Sequence, residues 1–381
     1  MQIGSNHRTE EAVVLDERGM LDVPYLVLTL VLVVIGLVML FSASYATAIN
    51  EGLSSTHYFV RQSMFAAVGI AAMLVISRLN YQIWRFLAFW VLGGSLLLLV
   101  AVAIPGIGVE HNGAQRWIKV GVEFQPSEFA KLGVVLTFAA MMSVYREKMH
   151  TFRYGVAPFV AVLLVIAVLL YLEPHMSATV IIFAVGAVMM FLGGTRLRWF
   201  VLGAAGALLL GVVYMKTKGY ASDRIMAWRD PFQYARNEGF QIVQSLYAIG
   251  SGGLFGLGFG HSRQKYLYLP EVENDYLFPI VCEELGLVGA LLVLLLFALL
   301  IVRGYWIAMH ARDRFGALVA AGLTTVLALQ VFFNIGVVTN FLPATGISLP
   351  FFSYGGTALV LQLAEMGIVL GISRWNTEQL I

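Results

Sequence analysis

Ten runs of apolar residues, each about 18 to 27 residues long, constrain this chain more than any other feature of its sequence. About 20 apolar residues span a bilayer, and a segment in lipid must satisfy its own backbone hydrogen bonds, so each run is a predicted helix. The runs cover about 24–46, 58–77, 84–104, 126–145, 155–172, 175–192, 197–215, 276–302, 315–341 and 353–373. The sequence therefore predicts an all-α, polytopic integral membrane protein with about ten transmembrane helices.

The composition excludes several classes of protein. Hydrophobic residues make up 59% and charged residues 12% of the 381 positions, whereas a soluble domain is about 25% charged. A soluble enzyme, a disordered regulator and a nucleic-acid-binding module are all poor fits. The single cysteine, Cys282, excludes an intrachain disulfide and a thiolate metal cluster.

Basic residues indicate the orientation of the chain in the membrane. The connections 47–57, 173–174 and 343–352 contain no Lys or Arg, whereas the alternate connections are basic. Short basic loops are normally cytoplasmic, so both termini are predicted to be cytoplasmic, with tails 1–21 and 376–381 around a membrane domain 22–375. The basic positions are Arg78, Arg85, Arg146, Lys148, Arg153, Arg196, Arg198, Arg303, Arg312, Arg314 and Arg374.

This orientation makes two long connections extracytoplasmic, 105–125 and 216–275. The second lies between spans seven and eight, and its aromatic and aliphatic residues at helical spacing, such as Phe240 and Val243, predict one or two amphipathic helices on the membrane surface. Its glycine-rich stretch 250–260 has no preceding strand and no Gly-Lys-Ser/Thr. It predicts flexible or close-packed backbone, and no nucleotide use is indicated.

Ionisable residues cluster toward the predicted outer ends of the spans. Such residues are costly within a membrane and are functional candidates by default, so their clustering predicts one polar cavity open to the outside. No metal-binding spacing occurs among the seven histidines. The candidates are Glu128, Lys131, Glu173, His175, Asp275, Glu283, Glu284 and Glu365.

Asp275 stands where the long loop enters the eighth span. A helix N-cap and a functional carboxylate are about equally supported by this position, since Asp is a preferred N-cap residue. Glu283 follows at about 80° around the helix and is a candidate for the same cavity. For Glu283 and Glu284, however, a buried hydrogen bond or ion pair between helices is the favoured interpretation.

Glu128 and Lys131 are three residues apart and share a helix face. A structural salt bridge is one interpretation. The other is an anion-binding wall, because the preceding loop carries Arg116 and Lys119 and cationic side chains bind phosphate groups.

Several motifs together resemble the SEDS (shape, elongation, division and sporulation) family. They occur in the expected order over about Asp22 to Trp375 and with the expected ten spans. The motifs are RWI at 116–118, QPSEFAK at 125–131, DP at 230–231, QS at 244–245, GFGHSRQKYL at 258–267, LPEVENDYLFPIVCEELG at 269–286 and GISLPFFSYGG at 346–356. The stretch EPHMS at 173–177 departs from the rod-elongation branch and favours the FtsW/SpoVE type.

The resemblance implies a peptidoglycan glycosyltransferase of the bacterial cytoplasmic membrane. Such proteins polymerise lipid II at the outer face, paired with a class B penicillin-binding protein and surrounded by membrane lipids. The essential family aspartate corresponds to Asp275, and its Glu–Lys pair to Glu128 and Lys131. The other predicted substrate-binding residues are Arg116, Lys119, Arg224, Gln244, Ser245, Lys265, Glu283 and Ser353.

The implied reaction joins a sugar 4-hydroxyl to a donor glycan carried on undecaprenyl diphosphate. The hydroxyl needs a general base, for which Asp275 is the candidate, and the leaving diphosphate needs positive charge, from cationic side chains or a divalent cation such as Mg²⁺ or Mn²⁺. A lipid II flippase is the alternative function, although no inverted repeat of the transporter kind is visible. A non-catalytic scaffold is a third possible function, but it assigns no role to the ionisable residues around Asp275.

Overall fold

The computed structural model describes residues 19–104, 106–111, 114–173, 175–206, 226–237 and 239–375. Most of the predicted N-terminal tail, the C-terminal tail 376–381 and Arg224 lie outside these residues. Three short strands follow the third helix: β1 (Gly108–His111), β2 (Ala114–Val120) and β3 (Val122–Phe124). The principal helices are α1 (Val23–Asn50), α2 (His57–Ile76), α3 (Gln82–Ala103), α4 (Pro126–Val144), α5 (Ala157–Leu172, preceded by one turn at Phe152–Gly155), α6 (Met176–Leu192), α7 (Leu197–Gly206), α8 (Phe240–Ser251), α9 (Leu277–Met309), α10 (Arg314–Val338) and α11 (Gly356–Ser373).

Eight helices of the described chain are long and apolar enough to cross a membrane: α1 to α4, Phe152–Leu172, α9, α10 and α11. Even the shortest has 18 residues and is about 27 Å long, close to the thickness of the hydrocarbon core. Helices α6 and α7 are apolar but shorter. The prediction of a helical, polytopic membrane fold is confirmed, whereas the count of ten spans stays a prediction.

Helices α4, α10 and α11 form the centre of the bundle. In α10, 78% of the apolar span is buried within the protein, against 22% in α2. At the centre, the ring of Phe138 on α4 packs edge-on against Phe159 of α5, with 4.8 Å between ring centroids. Large side chains on the outer helices, such as Phe86 and Trp90 of α3, are exposed, as expected for a surface that contacts lipid.

The described connections between helices lie at two opposite faces of the bundle. At one, the tail face, both ends of the membrane domain meet, and Arg303 pairs with Asp22 at 2.9 Å. The opposite loop face contains the described parts of both long connections. There, Tyr354 donates its backbone N–H to the carbonyl of Glu273 at 2.7 Å, and Thr357 donates its hydroxyl to the carbonyl of Glu123 at 3.1 Å.

The connection 105–125 contains a three-stranded antiparallel sheet in the order β1-β2-β3. Val109 pairs with Trp117, and Lys119 pairs with Glu123. Gly121, at φ +72°, makes the tight turn between the last two strands. The description of the fold as all-α is therefore wrong for this connection, because a segment outside the lipid can satisfy its backbone by strand pairing as well as by helix formation.

Helix α8 confirms one helix in the second long connection, but it does not lie only on a surface. Its buried face, including Ile242, Val243 and Ala248, packs against the neighbouring helices, while Tyr247 is exposed. The helix therefore anchors the loop to α9.

Helix α9 is broken at Gly286, which has φ 68° and ψ −170°. The break frees backbone groups in the buried first part of the helix, and these groups must find other partners. The glycine-rich stretch supplies them through four hydrogen bonds: Leu257 N to Glu283 O, Gly258 N to Glu284 O, Leu287 N to Gly253 O and Val288 N to Leu254 O.

The glycines of this stretch allow the backbones to touch. An added Cβ at Gly252 would collide with the carbonyl of Cys282, and one at Gly256 with the carbonyl of Glu284. The prediction of close-packed backbone at 250–260 is therefore confirmed.

Candidate active site

Asp275 lies half-buried on the loop face, at the entry to α9. The helix begins at Leu277, its N-cap position is Tyr276, and that cap makes no side-chain hydrogen bond. Asp275 is thus one residue too early to be the N-cap. The N-cap interpretation of this aspartate is wrong, and the catalytic role of its carboxylate stays a prediction.

Asn334 of α10 fixes the backbone around Asp275. Its side-chain amide donates to the carbonyl of Asp275 at 2.8 Å and to the carbonyl of Ile347 at 2.7 Å. The loop after α10 is thereby held against the start of α9. Gly346 lies so close that an added Cβ would stand 3.4 Å from Asp275 Oδ2, and its φ of +69° favours glycine.

The first turns of α4 provide a buried ion pair. Lys131 Nζ lies 2.6 Å from Glu128 Oε2, with the two side chains 3% and 16% exposed. The carboxylate of Glu365, which is 4% exposed on α11, interacts electrostatically with both residues. Lys131 therefore pairs directly with Glu128 and interacts at longer range with Glu365.

A chain of contacts connects this ion pair to Asp275. Gln125, at the start of α4, places its side-chain nitrogen 3.2 Å from His175 Nε2. Two residues further on, the hydroxyl of Ser177 donates to the carbonyl of Thr345, next to Gly346. The beginnings of α4, α6 and α9 and the loop after α10 therefore meet in one polar region of the loop face, and the cavity itself stays a prediction.

Arg116 of β2 reaches the same region, where it interacts electrostatically with Glu173 and His175. Burial raises the pKa of Glu173 to about 8, although Arg116 opposes the shift. Burial and the nearby cations Arg116 and Lys131 lower the pKa of His175 to about 3. At neutral pH, Glu173 is therefore mainly protonated and His175 is uncharged.

Glu283 and Lys265 lie in a separate, buried cluster around the break in α9. Glu283 accepts hydrogen bonds from the hydroxyls of Ser251 and Ser262 and from backbone N–H groups at 263 and 264. Lys265 Nζ lies 2.9 Å from Glu284 Oε1, and both side chains are at most 3% exposed. The favoured interpretation, that Glu283 and Glu284 make buried hydrogen bonds or ion pairs, is confirmed. Substrate binding by Glu283 and Lys265 stays a prediction.

This cluster makes Lys265 a test of folding. Lys265→Met should reduce the free energy of unfolding by about 3–5 kcal/mol, because it leaves the buried Glu284 carboxylate without its cation. Lys119→Met is the matched control: its partner Glu123 lies at 3.4 Å in an exposed pair, and the loss there should be about 1 kcal/mol or less. The measurement is denaturant unfolding in detergent. A stable Lys265→Met protein with a raised KM for lipid II would instead support substrate binding.

The other predicted substrate-binding residues are spread over the loop face. Lys119 is exposed beside Glu123, and Gln244 is half-buried on α8. Ser245 donates its hydroxyl to the carbonyl of Val338 at 2.7 Å, and the hydroxyl of Ser353 accepts from the backbone N–H of Leu349 at 2.8 Å. Ser245 and Ser353 thus have structural partners, and their binding role stays a prediction. Arg224 lies outside the described residues.

The described residues contain no group of three or more His, Cys, Asp or Glu side chains placed to hold a metal ion. Their donor set therefore does not fit a divalent cation bound by the protein alone, and no reaction step is assigned to one.

The site contains residues that the sequence analysis did not assign to it. Asn334 had no signal in the sequence, because an amide in an apolar span is common. Gly346 begins the motif at 346–356 but had no predicted role. Glu173, His175 and Glu365 were predicted to belong to one polar cavity, without a role in binding.

A half-buried carboxylate and a buried lysine in one polar region, at one face of a helical bundle, define a polytopic membrane protein with a polar site at one membrane surface. The profile of the FtsW/RodA/SpoVE family, described as cell cycle protein, matches residues 23–378. The chain belongs to this family.

Individual relatives agree with the family match. Stage V sporulation protein E of Bacillus subtilis (strain 168) is 40% identical over 358 residues, which cover 93% of this chain and 97% of that relative. A probable peptidoglycan glycosyltransferase FtsW of Geobacter metallireducens is 38% identical over 355 residues, covering 92% and 94%.

Two solved structures share the fold. A chain of a peptidoglycan synthase complex has a TM-score of 0.77 at 28% identity, over 93% of this chain and 98% of that one. The rod shape determining protein RodA of Thermus thermophilus has a TM-score of 0.70 at 28% identity, over 94% and 98%. The higher identities to the SpoVE and FtsW proteins above fit the predicted division and sporulation branch.

Proposed function

We propose that this protein is a peptidoglycan glycosyltransferase that polymerises lipid II into glycan strands. The observation that carries the proposal is the position of Asp275, held by Asn334 beside Gly346 and linked to the buried Lys131 and to Arg116. A relative at 38% identity is named a probable peptidoglycan glycosyltransferase, which supports the same activity.

In the proposed reaction, Asp275 accepts the proton of the acceptor 4-hydroxyl while that oxygen attacks the anomeric carbon of the donor. A new glycosidic bond forms, and the bond from the anomeric carbon to the diphosphate oxygen breaks. The diphosphate leaves with the electron pair, and the positive charges of Lys131 and Arg116 stabilise it in a region largely shielded from water.

The test is incubation of the purified protein with lipid II and analysis of the products. Polymer of the disaccharide repeat is the expected result. Transfer of lipid II between vesicle leaflets without polymer formation would favour a flippase. The absence of both activities would favour a non-catalytic scaffold. Parallel reactions with a chelator and with added Mg²⁺ or Mn²⁺ test the predicted cation requirement.

The loop face is proposed to be extracytoplasmic, and the membrane to be the bacterial cytoplasmic membrane. Support comes from the basic connections, which lie at the tail face. Helix α7 begins at the tail face and α9 begins at the loop face, so the chain from 197 to 276 has to change faces, which supports ten crossings.

This topology is testable by cysteine labelling in a Cys282→Ala background. Ser54→Cys, exposed in the first connection of the loop face, should react with a membrane-impermeant thiol reagent in intact spheroplasts. Asn80→Cys, exposed at the tail face, is the matched control and should react only after lysis. The reverse pattern would overturn the orientation.

A class B penicillin-binding protein is the proposed partner. A similar chain belongs to a peptidoglycan synthase complex that coordinates polymerization and crosslinking, which supports such an assembly here. Co-purification from native membranes is expected, with faster polymerisation in the complex than with the protein alone. Full activity of the isolated protein at cellular rates would make the partner dispensable.

A further inference from the structure

Glu173 is an unusual carboxyl group on the loop face. Its side chain is 2% exposed, and neither carboxyl oxygen has a hydrogen-bond partner among the described residues. Buried polar groups are almost always hydrogen-bonded, and leaving one unpaired is unfavourable. The position therefore calls for a partner beyond the described residues.

Glu173 and His175, two residues apart at the same site, are both uncharged at neutral pH. The neutral imidazole of His175 has one donor and one acceptor nitrogen, and the side-chain nitrogen of Gln125 lies 3.2 Å from Nε2 and 3.4 Å from Nδ1. Glu173 is mainly protonated because it is buried, so its carboxyl has one donor and one acceptor oxygen. This part of the site therefore offers neutral donors and acceptors.

The other part of the site is cationic. Arg116 interacts with both Glu173 and His175, and Lys131 interacts with His175. A ligand that interacts with both the cations and the neutral groups has an anionic group joined to a neutral group rich in hydroxyls and amides. A sugar attached to a diphosphate has this combination, whereas a phospholipid headgroup without a sugar or a free phosphate satisfies only the cationic side.

We propose that Glu173 and His175 form a sugar-binding subsite, in which the Glu173 carboxyl bonds the hydroxyl or acetamido groups of the sugar next to the diphosphate. The proposal rests on the proposed function, because it assigns one part of the lipid II molecule to one part of that site. Glu173 is a binding residue in this scheme: it selects the glycan, while Arg116 and Lys131 hold the anion.

The experiment compares two ligands that differ only in the glycan, lipid II and undecaprenyl diphosphate. Binding of each to the purified full-length protein in detergent is measured for the wild type, Glu173→Leu, Glu173→Gln and Lys131→Met. Glu173→Leu should weaken lipid II binding by roughly tenfold or more and leave undecaprenyl diphosphate binding unchanged. Glu173→Gln keeps a donor and an acceptor and should weaken lipid II binding less than Glu173→Leu does. Lys131→Met should weaken the binding of both ligands.

Folding is monitored by thermal melting. Glu173→Leu removes a buried unpaired group, so its melting temperature should be equal to or above that of the wild type. His175→Phe is a second variant, which keeps a ring of similar size and should show the same selective loss of lipid II. If Glu173→Leu does not fold, the binding of lipid II and of undecaprenyl diphosphate by His175→Phe tests the proposal instead.

Equal weakening of both ligands, or no weakening of lipid II, in the folded variants would overturn the sugar subsite. A wild-type protein that binds lipid II no better than undecaprenyl diphosphate would overturn it as well. Failure of the proposed function is a distinct result: selective binding is then observed, but the wild-type protein forms no polymer.

Discussion

Asp275→Asn should reduce the formation of glycan strands from lipid II by about 10²–10⁴-fold, the usual loss when a general base is removed. The substitution keeps the size of the side chain, and the backbone carbonyl at 275 retains its hydrogen bond from Asn334. Because Asp275 is not the helix cap, the melting temperature should hardly change. The measurement is a polymerisation assay on purified protein beside its thermal melt.

Asp230→Asn is the matched control for this experiment. Asp230 is exposed in the same long connection, and among the described residues its carboxylate accepts a local bond, from the backbone N–H of Gln233 at 3.2 Å. The control should polymerise lipid II at the wild-type rate. Comparable rates for a well-folded Asp275→Asn protein would refute the assignment of Asp275 as the base.

Lys131→Met should lower the polymerisation rate by about 10²–10³-fold, the range found when one group that stabilises a developing anion is removed. Met has a similar length and no charge. The same substitution leaves the carboxylate of Glu128, 2.6 Å from Lys131 Nζ in the wild type, without its cation. The assay therefore needs a parallel measurement of membrane insertion and folding.

The double variant Glu128→Gln/Lys131→Met separates the two effects. Removing both charges avoids a buried unpaired carboxylate at position 128, so folding should recover while polymerisation stays low. Lys148→Met, at the tail face over the ring of Tyr154, is the control for loss of a distant cation. Recovery of both folding and activity in the double variant would mean that the pair is only structural.

The helices were largely predictable because lipid leaves the backbone few alternatives. The errors arise where a polar residue has a partner that is distant in sequence. The eighth span was predicted to end at 302, but α9 continues to Met309. The charge of Arg303 is the reason why the span was predicted to end at 302. In the structure, Arg303 pairs with Asp22 and lies over the ring of Trp306, so the helix continues past this charged residue.

The site was predictable only where its residues are close in sequence. The Glu128–Lys131 pair follows from a spacing of three residues on a helix. The contacts of Asp275 with Asn334 of α10, and of Gln125 with His175, connect segments far apart in the chain. Such contacts depend on how the helices pack, and helical spacing within one segment contains no information about them.

The break at Gly286 divides α9 into two parts that should open independently. Backbone hydrogen bonds join the residues around the break, 283–288, to the glycine-rich loop, and hydrogen bonds to Glu283 and Glu284 add to this connection. In hydrogen exchange, residues 252–288 should therefore behave as one cooperative unit with a common opening free energy, and 289–309 as another. Asp275 lies within the first unit, so its local motion should follow that of the loop rather than that of the long inner part of the helix.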